Sequence, residues 1–399
     1  MSATKKPSKR ADVLFYVQHL LGIGHLRRAS VLARAMDRAG LRVVFVSGGM
    51  PVPGTDVGGC AFVQLPPLRT LDESFSALVD AEGRELDDAG KTARRDLLLG
   101  LLEQHEPRVI LFEMFPFGRR QMRFELMPLL DAAKASAHPP QVFCSLRDIL
   151  TTHKKPGKTE WIVSAVERYF DQVLVHGDPS FVTLEQSFPA TETFGDKIRY
   201  TGYVVETAHL PTQAEPRRDG EVLVSAGGGA VAAPLIEAAI EARPLTSLRD
   251  VPWRLLAGHN LPEDRFRALQ ALCGEGIVLE RARADFTELM ARARLSISQA
   301  GYNTVMDILA TEVPAVLVPF AATQQTEQTL RAKLLAERGA AVLLPEERLD
   351  AQTLARSVEE ALAPARPTHP FDKLDITGAE RTAALISDVA QGDREDAAP

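Results

Sequence analysis

Cysteine is scarce: Cys60, Cys144 and Cys273 are the three in 399 residues, far apart and without any C-x-x-C spacing. That argues against a disulfide framework and a structural zinc site, and it suits a reducing, cytoplasmic compartment. No apolar run approaches the roughly 18–20 residues that a membrane-spanning helix needs. The charged opening MSATKKPSKR is not followed by the apolar core of a secretory signal, and it is expected to be a flexible tail over residues 1–10. Positive charge is not in excess: 46 Lys and Arg against 53 Asp and Glu leave a net −7, so the chain as a whole does not advertise nucleic acid as its partner. A Walker-type G-x-x-x-x-G-K-[ST], a dinucleotide-type G-x-G-x-x-G and any fixed-period repeat are also absent.

What is present is a long chain of ordinary globular composition, enough for two or three domains with cores of their own. From residue 11 short β-branched runs alternate with helical patterns, the signature of an α/β protein whose parallel sheets are covered on both faces. The first series of strands is expected at Val13–Val17, Val43–Ser47, Val109–Phe112, Val142–Ser145 and Val173–Val175. Leu26, Ala29, Ala33 and Met36 recur at helical spacing after the first of these, and Gly40 stands where a glycine would stop that helix. A polar, proline-bearing stretch, Leu210–Gly220, then reads as a linker. Beyond it strands are expected at Glu221–Ser225, Trp253–Leu256, Ile277–Leu279, Leu295–Ser298, Ala315–Pro319 and Ala341–Leu344. The expected organisation is a domain over 11–209, the linker 210–220, a second domain over 221–365, and a last helix with an acidic tail over 366–399. Nothing in the sequence says which domain that helix packs against.

Ligands of parallel α/β sheets bind outside the carboxyl ends of the strands, so residues just after each strand carry the information. Gly22-Ile23-Gly24-His25-Leu26-Arg27-Arg28 lies between the first strand and the first helix. Its glycines let a ligand approach the backbone, and His25 is either a general base or a histidine that packs at a helix start. Gly227, Gly228 and Gly229 form either an anion-binding nest or an unoccupied glycine turn. Further on come Gln299, Gly301, Asn303, Thr304 and Asp307, then Glu327 and Gln328. A carboxylate at Asp307 suits the vicinal hydroxyls of a ribose, and Glu327 with Gln328 suits a hexose; a solvated helix start favours the same residue types. In the first domain Glu113, Arg119 and Arg120 sit in a run rich in aromatics and arginines, EMFPFGRRQMRF, that either meets an anionic or lipid-linked ligand or is a helix with solvated arginines. Ser145, Arg147 and Asp148, with His176 and Asp178, also follow strands.

At these residues the sequence resembles the GT-B nucleotide-sugar glycosyltransferases, especially the group related to the N-acetylglucosaminyltransferase that completes lipid II. The most specific part is Gly301-Tyr302-Asn303-Thr304-x-x-Asp307, then Pro314, Pro319, Glu327-Gln328 and Gly339-Ala340, which is similar to the donor box shared with plant natural-product glucosyltransferases. Gln299 stands where the plant box has histidine, and Asp307 where both relatives have glutamate. The segments Tyr16–Arg28, Phe115–Leu130 and Val175–Pro179 look like a group of predicted bacterial glycosyltransferases. The loop carrying Gly22, Gly24, His25 and Arg28 also resembles that of a nucleotide-sugar hydrolase of the pseudaminic acid pathway, in which water replaces the acceptor.

The resemblance implies two Rossmann-like domains facing across a cleft, acceptor in the first and donor in the second. It implies an inverting transfer from a nucleotide-diphosphate sugar, UDP-linked, with His25 as base and the donor bound by Gly227–Gly229, Gln299, Gly301, Asn303, Thr304, Asp307, Glu327 and Gln328. Gly22, Gly24 and Arg28 would serve phosphate or acceptor, and Glu113, Arg119, Arg120, Arg147 and Asp148 an anionic or lipid-linked acceptor at the inner face of the membrane. No Asp-x-Asp occurs, so neither a metal nor another cofactor is expected. The alternatives are a nucleotide-sugar hydrolase with the same base and a non-catalytic nucleotide-sugar-binding protein.

Overall fold

The computed structural model describes residues 10–20, 22–70, 77–150, 157–206, 220–226, 233–259, 261–283, 285–320, 326–363 and 374–395. Two compact units divide the chain. The first takes the described residues of 10–148, 157–204 and 377–395; the second takes 149–150, 205–206 and those of 220–376.

The first unit carries strands β1 (Val13–Val17), β2 (Val43–Ser47), β3 (Ala61–Gln64), β4 (Val109–Glu113), β5 (Gln141–Arg147), β6 (Gln172–His176) and β7 (Ile198–Tyr200), with helices α1 (Gly24–Arg38), α2 (Asp88–His105), α3 (Arg123–Ala135) and α4 (Lys158–Tyr169). Its strands lie in the order β3-β2-β1-β4-β5-β6-β7, all parallel. β1, β2 and β4 are buried along their whole length, as strands covered on both faces must be. The expected α1 forms, and it ends in a complete Schellman motif: Gly40 at φ 77° donates its N–H to the Asp37 carbonyl, and Leu41 donates to that of Met36. β3 and β7 were not expected from the sequence. Both are short edge strands, partly exposed, so neither leaves a continuous apolar run to read.

The second unit carries β8 (Val222–Ser225), β9 (Trp253–Ala257), β10 (Ile277–Arg281), β11 (Leu295–Ser298), β12 (Ala315–Leu317) and β13 (Val342–Leu343), with α5 (Ala233–Ala242), α6 (Glu263–Leu272), α7 (Phe286–Arg292), α8 (Tyr302–Thr311), α9 (Thr326–Glu337) and α10 (Ala351–Leu362). Its order is β10-β9-β8-β11-β12-β13, again all parallel. β12 and β13 are shorter than the stretches 315–319 and 341–344 suggest. Val318 still donates to the Ser298 carbonyl and Leu344 to that of Leu317, so the chain leaves the ladder gradually.

The last helix, α11 (Gly378–Glu395), packs on α1 of the first unit. Ala379, Ala383, Ile386 and Ala390 recur at four- and three-residue spacing and enter the core formed by β1, β2 and α1. Both sheets reverse their strand order once, between β1 and β4 and between β8 and β11, and these are the points where doubly wound sheets bind ligands.

Candidate functional site

In the first unit the carboxyl ends of β1 and β4 meet at the reversal. α1 opens there with Ile23 at its N-cap and no side-chain capping bond, and His25 is its second residue. The His25 Nδ1 lies 2.8 Å from Oε1 of Glu113, the last residue of β4. Glu113 is fully buried, while the His25 side chain keeps 20% of its exposure. The same Oε1 accepts from the Arg28 guanidinium, and Oε2 accepts from the Ser145 hydroxyl at 2.7 Å. Ser145 Oγ is 2.9 Å from the His176 Nε2, and His176 Nδ1 is 2.8 Å from the Thr201 hydroxyl. Glu113 and Ser145 are register partners on β4 and β5, which is why residues 32 apart in sequence touch.

Electrostatics fix the charge states. Burial by itself would raise the Glu113 pKa, but the Arg28 charge and the His25 and Ser145 hydrogen bonds outweigh it and bring it down to about 2. Burial and then the Arg119 charge hold His25 below the ordinary imidazole value, against the pull of Glu113. Burial and Arg28 lower His176 to about 3. Both imidazoles are therefore neutral at pH 7, and with Glu113 a carboxylate the proton of His25 sits on Nδ1, leaving Nε2 as the basic lone pair.

This has a consequence for stability. His25 and His176 take up protons in the unfolded chain near pH 6.5 but in the folded chain only at lower pH, so the unfolded state binds more protons as pH falls below 6.5. The first unit should lose stability on acidification through that range, each imidazole contributing a slope of about 1.4 kcal/mol per pH unit. Urea midpoints followed by Trp161 fluorescence in a Trp253→Phe background would check this, and a flat midpoint between pH 7 and 5 would contradict it.

Glu113, grouped with the acceptor residues on sequence, is enclosed, with His25, Arg28 and Ser145 on its oxygens. Arg28, grouped with a phosphate loop, is 4% exposed and spends charge on Glu113. Gly24 is the first residue of α1 and Gly22 precedes it, exposed. Arg119 has a left-handed backbone (φ 62°) and donates from Nε to the Gln18 carbonyl at 2.5 Å. Arg120 lies over the Trp161 ring, 5.5 Å from its centroid, with Arg123 closer at 4.5 Å. Arg147 ends β5, and Asp148 is 1% exposed and accepts from the Tyr203 hydroxyl at 3.3 Å.

In the second unit the reversal brings together Ser225 and Ser298, partners in the ladder. Gln299, Gly301, Asn303 and Thr304 follow, all half-buried, with Gly301 as N-cap of α8. Asp307 is 2% exposed, and its Oδ1 accepts from the Thr287 hydroxyl at 2.9 Å. Glu327 and Gln328 open α9; Glu327 is 7% exposed, and the Gln328 amide oxygen accepts from the Phe320 N–H at 3.3 Å. Gly227, Gly228 and Gly229 lie outside the described residues. Sequence reasoning passed over Arg331, which is fully buried, donates to the Ala300 carbonyl at 3.1 Å and stacks 5.6 Å from the Tyr302 ring centroid. It pins α9 to the turn before α8, and an arginine on a charged helix gives no sequence signal for such a task.

Comparison with known proteins bears on both units. Residues 222–383 match the glycosyltransferase family 28 C-terminal domain. Two relatives both bear the name UDP-N-acetylglucosamine--N-acetylmuramyl-(pentapeptide) pyrophosphoryl-undecaprenol N-acetylglucosamine transferase. That of Ectopseudomonas mendocina is 35% identical over 207 residues, 49% of this chain and 53% of its own. That of Xanthomonas axonopodis pv. citri is 32% identical over 236 residues, 58% of this chain and 50% of its own. The chain thus spans about half the length of these curated relatives. Among solved structures, the calicheamicin glycosyltransferase superposes with a TM-score of 0.60 at 16% identity, covering 98% of this chain and 100% of the other. MurG of Acinetobacter baumannii gives 0.57 at 15%, covering 94% and 99%. Residues 222–383 are thus similar to the glycosyltransferase family 28 C-terminal domain, and the chain has the GT-B architecture of two parallel α/β units.

Proposed function

We propose that this protein is an inverting glycosyltransferase that moves a sugar from a nucleotide diphosphate, UDP-linked, to a hydroxyl acceptor without a metal ion. The observation that carries the reading is the His25–Glu113 pair at the strand reversal, 2.8 Å apart. Glu113 holds the Nδ1 proton, so Nε2 can take the proton of an acceptor hydroxyl, and the carboxylate stabilises the imidazolium that forms. The acceptor oxygen bonds to the anomeric carbon from one face as the bond to the diphosphate breaks on the other, which inverts that centre and releases the nucleoside diphosphate. The second unit binds the donor: its likeness to the family 28 C-terminal domain and the half-buried Gln299, Gly301, Asn303 and Thr304 at a helix start support this, since N–H groups there stabilise the departing phosphate charge. An anionic or lipid-linked acceptor, reached at the cytoplasmic face of the membrane, fits the arginines around β4 and the names of the relatives. No helix among the described residues is long and apolar enough to cross a membrane.

The test is to incubate purified protein with a panel of nucleotide sugars and follow nucleoside diphosphate release with and without an extracted acceptor pool. Release that needs acceptor supports transfer, while release into water alone replaces it with hydrolysis. Binding without release would leave a nucleotide-sugar-binding protein.

Within the donor unit, Asp307→Ala is expected to weaken UDP-sugar affinity by about 10–100-fold, the worth of a charged hydrogen bond to ribose. Thr287→Val removes the hydroxyl that bonds Asp307 and serves as control. Calorimetric affinities equal to wild type in Asp307→Ala would take this residue out of the ribose site.

A further inference from the structure

We infer that Ser145 and His176 are positioning residues for the base: a buried hydrogen-bonded arm running from β7 to β4 holds the Glu113 carboxylate turned toward His25. The inference rests on the reading of His25 as the base.

The two oxygens of Glu113 are contested. Oε1 takes both the His25 Nδ1 proton and the Arg28 guanidinium, and Oε2 takes the Ser145 hydroxyl. A guanidinium binds a carboxylate best with two parallel bonds. Left alone with Arg28, the carboxylate gains by rotating to present both oxygens to it, which draws Oε1 away from His25. The Ser145 hydroxyl opposes that rotation by occupying Oε2.

Ser145 can do so only if its single proton points at Glu113, and the rest of the arm sets that direction. Its lone pairs must then receive the Nε2–H of His176 at 2.9 Å, and the Nδ1 of His176 must receive the Thr201 hydroxyl at 2.8 Å. The Gly202 and Val175 carbonyls also lie near the Thr201 hydroxyl, but at 3.3 and 3.5 Å they are farther than His176, and all four side chains belong to residues with no solvent exposure. Burial and Arg28 keep His176 neutral, so the arm orients and does not carry charge. Four buried polar groups across neighbouring strands are costly where an apolar core would serve packing equally well.

The experiment is a long-range proton–nitrogen correlation of the imidazoles in nitrogen-15-labelled full-length protein, with steady-state kinetics beside it. In the wild type His25 should carry its proton on Nδ1 and His176 on Nε2. In Ser145→Ala, His25 should show a mixture of tautomers, and kcat should fall about tenfold with donor KM unchanged, as when the support of an orienting group is removed. Ser145→Thr should recover the single tautomer and most of the lost kcat, and His176→Gln, which keeps an N–H near the Nε2 position, should do better than His176→Leu. A wild-type His176 protonated on Nδ1 would overturn the inference without any variant. So would a Ser145→Ala protein whose His25 stays wholly Nδ1–H, or whose kcat matches wild type. Absence of turnover in the wild type itself would count against the proposed function, while the tautomers still decide the role of the arm.

Discussion

His25→Ala is expected to lower kcat by about 10²–10⁴-fold while leaving donor affinity unchanged. The reasoning is local. His25 sits on α1 with Nδ1 fixed by Glu113, so the ring is oriented before any ligand arrives. The residues proposed to bind the donor lie in the second unit, which has no share in that pair. Glu113→Gln is the sharper companion. Arg28 only donates, so the amide turns its oxygen to Arg28 and His25 and its N–H₂ to Ser145; the Nδ1 proton stays, but the negative charge that stabilises the imidazolium is gone. Its loss in kcat should be smaller than that of His25→Ala, and the double variant should be no worse than His25→Ala, since the two act as a unit. Measurement of kcat, KM and calorimetric donor affinity for the three proteins decides it. Retained turnover in His25→Ala removes the base.

The second large effect concerns stability. Glu125→Ala is expected to destabilise the first unit by about 3–5 kcal/mol, because it strands a buried charge. Arg94 on α2 and Glu125 on α3 are both without exposure. Two guanidinium nitrogens reach the carboxylate, at 2.7 and 2.8 Å, and the Tyr16 hydroxyl reaches it at 2.6 Å. Arg94 also donates to the Gly48 carbonyl and the Gln18 amide oxygen, so the pair ties α2 and α3 to the ends of β1 and β2. Removing both charges, as in Arg94→Met with Glu125→Leu, should restore part of the loss: no charge is stranded, but the Tyr16 hydroxyl, the Gly48 carbonyl and the Gln18 amide lose these bonds. Urea unfolding followed by Trp161 in a Trp253→Phe background reports on the first unit alone. A shift below about 1 kcal/mol for Glu125→Ala would mean that water or a rearranged Arg94 compensates the missing carboxylate.

Strands buried on both faces were legible because they leave runs such as Val13–Val17 and Val109–Phe112, and α1 because its apolar period and Gly40 agree. The residues around Gly301 proposed for the donor were singled out by their spacing. β3 and β7 were not, since their exposed flank breaks the apolar signal. Nor was the pairing that matters most: His25 and Glu113 are 88 residues apart, and only strand order makes neighbours of β1 and β4. Glu113 therefore read as one more polar residue after a strand. Arg94, Glu125 and Arg331 look like ordinary helix-surface charges, and burial alone distinguishes them. The side to which α11 belongs was equally hidden, because an amphipathic helix carries its own apolar face but not the address of its partner.

That address reaches into how the chain is made. The first unit needs Ala379, Ala383, Ile386 and Ala390 to complete its core, yet these are made only after the whole of the second unit. At roughly 5–20 residues per second, the long stretch between β7 and α11 keeps a nascent first unit waiting with the α1 face uncovered while the second unit is finished. The first unit is thus closed only after the second has been made, and a ribosome stalled before residue 378 would hold an unsealed hydrophobic surface for chaperones to mask.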